Sequence, residues 1–150
     1  MKTYIGTKII QAIPAIRKGG KVYEEGWPIP RSMDPIEDGY KVVYPDGYES
    51  WSPKAVFEEA YQVVDAMTFG LAIEAAKKGK RIARKGWNGK GQYIELATGI
   101  GYVNAAGEFI NPTHAAIGNR AFAFVGTSGT QLGWLASQAD MLAEDWVIVE

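Results

Sequence analysis

From residue 80 onward, glycine-rich turns divide the chain into short runs of β-branched, aromatic and other apolar residues. Lys80–Arg84, Gln92–Leu96, Ile100–Asn104, Ala121–Val125 and Asp145–Val149 are these runs, and each reads as a strand. One helix precedes them. Thr68 stands where a helix cap is needed, and Phe69, Ala72, Ile73 and Ala76 then recur at helical spacing up to Lys78. Gly79 stops this helix, and Lys77 and Lys78 in its last turn complement the negative end of the helix dipole. The pattern predicts a helix packed on a mostly antiparallel sheet.

The first part of the chain has a different rhythm. Tyr4–Ile10 alternates weakly as a short strand, after which Pro14, Gly19, Gly20, Pro28, Pro30 and Pro35 predict an ordered, irregular loop. Gly39–Tyr44 and Tyr48–Trp51 flank Pro45-Asp46-Gly47, the signature of a β-hairpin. Ser52 is then placed to cap a helix with Pro53 in its first turn, an apolar stripe of Val56, Phe57, Ala60 and Tyr61, and an end near Gln62 to Ala66. The expected fold class is α+β: an N-terminal β-hairpin plus helix unit over 1–65, then a helix on a mostly antiparallel sheet over 66–150. Units this small bury little surface, so oligomerisation would relieve a shortage of core.

Composition narrows the function classes. Sixteen basic and seventeen acidic residues in 150 leave a net charge of -1, which gives no field favouring a nucleic-acid backbone. Cysteine is absent, so thiolate chemistry is excluded, and His114 is the single histidine, so no metal centre and no cofactor is expected. Met1–Ile10 lacks the apolar stretch of a secretion signal, and no apolar run reaches the roughly 20 residues of a membrane helix. The expectation is a soluble, cytoplasmic chain that partners neither nucleic acid nor membrane.

Two tryptophan-bearing blocks carry the candidate chemistry. In Arg84-Lys85-Gly86-Trp87-Asn88-Gly89-Lys90-Gly91, Asn88-Gly89 can form a tight turn, which makes the block a decorated hairpin. The same glycines let backbone amides approach a ligand, and Trp87 beside Arg84 and Lys85 makes a stacking surface next to positive charge. In Trp134-Leu135-Ala136-Ser137-Gln138-Ala139-Asp140, Ser137 and Asp140 fit a capping pattern for a short helix ending near Ala143. Trp134, Gln138 and Asp140 equally suit the polar edges of a ribose or base, and a helix N-terminus attracts phosphate. Both readings of each block stand.

Other features read as structural. Gly126-Thr127-Ser128-Gly129-Thr130 lacks the lysine of a phosphate-binding loop and reads as a hairpin turn, while Asp145-Trp146 reads as sheet and core. Trp27 and Trp51 read as core aromatics of the first unit. The acidic pairs Glu24-Glu25 and Glu58-Glu59 and the cluster Asp34, Glu37 and Asp38 read as solvated surface. No serine, histidine and aspartate set can be assembled by spacing, so no catalytic residue is nominated.

The stretch MTFGLAIEAAKKGKRIARKGWNGKG followed by WLASQADMLAEDWVIVE resembles the second class of Thoeris anti-defence proteins of phages, over Met67 to Glu150. Thr3–Tyr61 is similar to a separate small phage protein of unknown role. The resemblance implies a non-enzymatic sponge that binds the cyclic ADP-ribose-type signals of bacterial TIR enzymes, such as glycocyclic ADP-ribose, without cleaving them. It also implies homotetramers with shared pockets, uptake of cyclic dinucleotides of the CBASS defence by some members, and action in the host cytoplasm. Carried over position by position, it nominates Arg84, Trp87, Asn88, Gly89, Trp134, Ser137, Gln138 and Asp140 as ligand-binding residues. The loop Asn111 to Arg120 departs from the shorter members. The competing readings are a nucleotide-signal hydrolase using His114 or a carboxylate as base, and a structural or regulatory phage protein whose tryptophans are all core.

Overall fold

A pair of glycines where the sequence predicts irregular loop makes the first turn of the fold. In the computed structural model, which describes residues 1–87, 89–110 and 120–150, Gly19 and Gly20 have φ of +57° and +75°. They join strands β1 (Gln11–Lys18) and β2 (Lys21–Glu24) in the left-handed geometry of a tight hairpin. The predicted strand at Tyr4–Ile10 is not formed, and strand begins instead at Gln11, inside the predicted loop. Pairing partners decide this. Each residue of β1 is matched along β3 (Ile36–Val43), from Gln11↔Val43 to Lys18↔Ile36. Pro14 is tolerated within β1 because its carbonyl, and hence its missing N–H, faces the β2 side. There the ladder has already ended at Ala15↔Glu24 and only the Glu25 amide arrives, at 3.0 Å from the Pro14 oxygen.

The chain divides into compact units Met1–Gln62 and Val63–Glu150. In the first, the predicted hairpin forms between β3 and β4 (Glu49–Pro53), turning at Gly47 with φ of +87°, and the sheet order is β2-β1-β3-β4. Gly39 is required by packing. A Cβ there would lie 2.7 Å from Cζ2 of Trp51 and overlap the Ser52 carbonyl. Helix α1 (Lys54–Ala60) starts after Pro53, and Ser52 does not cap it. Ser52 belongs to β4, paired with Tyr40, and its hydroxyl donates to the Pro53 carbonyl at 3.4 Å. The predicted stripe narrows to Phe57 and Tyr61, which stack in series on Tyr40 at 4.1 and 5.0 Å between centroids. Val56 and Ala60 are exposed, and the helix ends before Gln62.

In the second unit, Thr68 caps α2 (Phe69–Lys77), its hydroxyl accepting from the Leu71 amide at 3.4 Å, and Gly79 ends it at φ +85°. The strands that follow are β5 (Arg81–Arg84), β6 (Tyr93–Ala97), β7 (Tyr102–Val103) and β8 (Phe109–Ile110). After them come β9 (Ala121–Gly126), β10 (Gly129–Leu132), α3 (Gln138–Leu142) and β11 (Trp146–Val149). The main sheet is antiparallel in the order β10-β9-β6-β5-β11. Sequence reasoning missed two strands here: β10, the return arm of the expected turn at Gly126–Thr130, and β8, which pairs with β7 and lies where no strand was predicted. Residues 111–119, His114 among them, lie outside the described residues.

Ala72, Ala75 and Ala76 of α2 face Ile82, Ile94 and Trp146 of the sheet, and Met67 closes this core through a bridge to Trp146. Small residues on the helix let it approach a tryptophan-bearing sheet. Among the described residues no helix is long and apolar enough to cross a membrane.

Candidate functional site

Arg84 ends β5 opposite Trp146 of β11, so the residue preceding Trp146, Asp145, lies beside the turn that follows β5. The Asp145 carboxylate accepts from Arg84 Nε and from the Gly86 amide, both at 2.9 Å. The Lys85 amide donates to the Asp145 carbonyl at 3.1 Å. Glycine at 86 keeps this turn tight, since a Cβ there would lie 3.1 Å from Asp145 Oδ2.

A second aspartate completes the clamp. Asp140 Oδ1 accepts from Arg84 Nη1 at 2.9 Å and from the Trp87 indole N–H at 3.4 Å. Its Oδ2 accepts from the amide and hydroxyl of Ser137 at 3.1 and 2.8 Å, while Ser137 Oγ accepts from the Asp140 amide at 3.1 Å. This is a complete capping box at the start of α3, as the Ser-x-x-Asp spacing predicts. The Asp140 carbonyl also accepts from the Trp146 indole at 2.9 Å, so one residue ties the cap to the core.

These contacts fix the charges. Burial pushes the Asp140 carboxyl up, but the hydrogen bonds from Arg84, Ser137 and Trp87 outweigh it and leave the group below its ordinary value. Asp145 is also lowered, chiefly by the Arg84 hydrogen bond and against the effect of burial. The same pairs raise Arg84, with Asp145 contributing most. Carboxylates held ionised and saturated with donors are weak proton acceptors. This arrangement therefore suits positioning rather than acid–base chemistry.

The indoles pack above the clamp. Trp87 meets Trp134 and Trp146 at 6.1 and 5.5 Å, and Trp134 meets Trp146 at 6.2 Å, all edge to face. Phe69 and Phe124 flank them, 5.1 Å from Trp146 and 5.8 Å from Trp87. Trp134 is delivered by Gly133 at φ +85°, and both of their amides donate to the Phe122 carbonyl. Trp146 is fully buried, whereas Trp87 and Trp134 keep part of their surface open.

The structure thus brings Arg84, Trp87, Trp134, Ser137 and Asp140 into one cluster through contacts that span 47 to 56 residues of sequence. Gln138 is exposed on the first turn of α3. Gly89 abuts the Gln92 side chain, which a Cβ would overlap. Asn88 lies outside the described residues. Asp145, assigned to sheet and core from the sequence, is the member that reasoning missed. Its only signal was its place before Trp146, and the β5–β11 register was needed to interpret it. Among the described residues no group of three or more histidine, cysteine, aspartate or glutamate side chains is arranged to hold a metal. Among the described residues Arg84 donates from Nε and Nη1, and no acceptor for Nη2 is found.

The positions that build this cluster all fall in the region shared with known proteins. Over 90 residues, 55% of this chain and 94% of the relative, the sequence is 39% identical to "Thoeris anti-defense 2" of Bacillus phage SP01. Residues 67–149 match the Thoeris anti-defense 2-like domain, and the chain belongs to that family.

Proposed function

We propose that residues 66–150 bind cyclic ADP-ribose-type signals made by bacterial TIR enzymes and sequester them without cleavage, so that a phage carrying the protein blocks Thoeris defence. Family membership supports the anti-defence role. The observation that carries the binding reading is the pair of partly open indoles, Trp87 and Trp134, in one cluster with Arg84, whose Nη2 has no acceptor among the described residues. An adenine stacks on an indole face, and a guanidinium N–H suits a phosphate oxygen. Gln138, Ser137, Asn88 and the Gly89 backbone then serve the ribose and base edges. Asp140 acts mainly as the brace that orients Arg84 and Trp87, because both its oxygens are already occupied. No catalytic residue is assigned.

The domain acts as a homotetramer in the cytoplasm of the infected host. The exposed Leu132, Leu135, Met141 and Leu142 around α3 support self-association, since Leu135 and Leu142 are 89% and 80% exposed in the single chain. Light scattering after size exclusion measures the tetramer. Residues 1–65 form a separate module that sequestration does not require.

A sponge competing with a receptor at low signal concentration needs nanomolar affinity, about -12 kcal/mol. The test is to incubate protein with glycocyclic ADP-ribose, denature it, and analyse the released nucleotide. Intact ligand recovered in stoichiometric amount supports sequestration, and linear product formed at substoichiometric protein overturns it in favour of hydrolysis. Parallel titrations with the cyclic dinucleotides of CBASS define the ligand range.

A further inference from the structure

The first unit carries a cleft that its family-matched neighbour does not explain. It has a volume of about 510 Å³, ordinary for a small-molecule site, and is lined from β1, β2, β3, the loop after β2 and the start of α1. Its floor follows from register. Ile16 is paired with both Tyr23 and Asp38, and Pro14 with Tyr40, so these side chains share one face of the sheet. Tyr40 is locked there by Phe57 stacking and by its hydroxyl donating to Glu58 at 2.9 Å.

The wall is pinned as well. Lys18, only 8% exposed, donates from Nζ to the Pro30 carbonyl at 2.7 Å, which holds the loop that presents Trp27 and Ile29. Trp27 is 50% exposed and is a wall of this cleft rather than the core residue that composition suggests. Two lining carboxylates, Glu25 and Asp38, have no ion-pair or hydrogen-bond partner at their side chains among the described residues. Glu24, by contrast, is neutralised by Lys41 at 2.8 Å. Glu25, opposite Pro14, and Asp38, opposite Ile16, stand on opposite sides of β1, two interstrand spacings across and two residues along, or about 12 Å apart at the backbone.

Aromatic walls attract cations, the floor between is apolar, and an unpaired carboxylate waits at each side. We infer that this cleft binds a linear aliphatic polyamine, its methylenes over Pro14 and Ile16, its cationic ends at Glu25 and Asp38, and its path flanked by Trp27 and Tyr23. Lys54, at the helix start, disfavours a third cation on that rim. The inference is independent of signal sequestration by residues 66–150.

Isothermal titration of the full chain with spermidine tests it, with 1,8-octanediol as the uncharged chain and N-acetyl-lysine amide as a single cationic side chain. Saturable one-to-one binding of spermidine, at least tenfold tighter than either control, is expected. Asp38→Asn, which preserves shape, and Trp27→Ala should each weaken it at least tenfold, and Arg84→Met should leave it unchanged. Absence of binding, equal affinity in Asp38→Asn, or preference for the lysine amide overturns the assignment. The last result would mark the cleft as a reader of protein side chains.

Discussion

The two units use tryptophan in opposite ways. In the second, Trp146 is fully buried at the centre of a core that includes Met67, Ile82 and Ile94, and its neighbours Trp87 and Trp134 meet it edge to face. In the first, the buried apolar residues are Ala15 and Val42, and neither indole is at the centre: Trp51 is partly buried and Trp27 half exposed. Trp51 covers Gly39 and carries the Arg17 guanidinium 4.2 Å above its ring. One unit is held from its centre. The other is held by stacked rings, the part-buried pair Lys41–Glu24 and surface pairs such as Arg17–Glu37. Surface pairs contribute little each, so the first unit depends on backbone pairing and close approach.

The strongest way to break this contrast is at the two centres. Trp146→Ala should cost the second unit about 3–5 kcal/mol, enough to unfold a marginal domain, because it opens a cavity and strands the Asp140 carbonyl. Amide exchange followed separately in residues 1–62 and 63–150 should show the loss in the second unit. If protection there is unchanged, Trp146 does not centre the core. Gly39→Val is the matched test in the first unit. Its side chain meets Trp51 and the Ser52 carbonyl, so a loss of about 1–3 kcal/mol is expected in residues 1–62. A neutral result would show that Trp51 can leave the sheet freely.

These same contacts mark what was legible in the sequence. The helix from Thr68, its stop at Gly79, the β3–β4 hairpin and the Ser137–Asp140 cap were all readable, because each is decided by residues a few positions apart. Strand β1 was not, since eight pairings with β3 override a weak local pattern and a proline. Ser52 failed as a cap for the same reason: the ladder to Tyr40 claimed it first. At the candidate site, sequence nominated both blocks but not their joint. That joint is Asp145, and only the β5–β11 register places it against Arg84.

The Arg84 clamp sharpens the comparison because its side chains are only 15–33% exposed, whereas both partners of Arg17–Glu37 are 47% exposed. Arg84→Met should destabilise the second unit by about 1.5–3 kcal/mol by leaving two aspartates without their shared donor, whereas Arg17→Met should cost under about 1 kcal/mol in the first. Equal losses measured by denaturant titration would erase the distinction between the units.

Acid provides a finer probe of the same clamp. Asp140 and Asp145 both have folded-state values below their ordinary 3.8, so the stability they contribute is fully present above that value. It is lost as pH falls through the lowered folded-state values. Denaturant midpoints of the second unit should therefore be flat from pH 7 to about 5 and fall steeply below about 4. Asp140→Asn should shallow that fall, since the amide cannot supply the titrating charge. An unchanged acid slope in this variant would mean that Asp140 is not coupled to Arg84.

The smallest expected effect isolates the cap from the clamp. Ser137→Ala removes the hydroxyl that accepts from the Asp140 amide and donates to its carboxylate, and leaves both Arg84 contacts in place. Loss of such a cap costs about 1 kcal/mol. Because α3 has only five helical residues and no buried side chain, that loss should appear as faster amide exchange in Gln138–Leu142 while the β5 and β11 amides stay protected. If β5 and β11 loosen to the same extent, cap and clamp form one cooperative unit, and Ser137 supports the position of Trp87 as directly as Asp140 does.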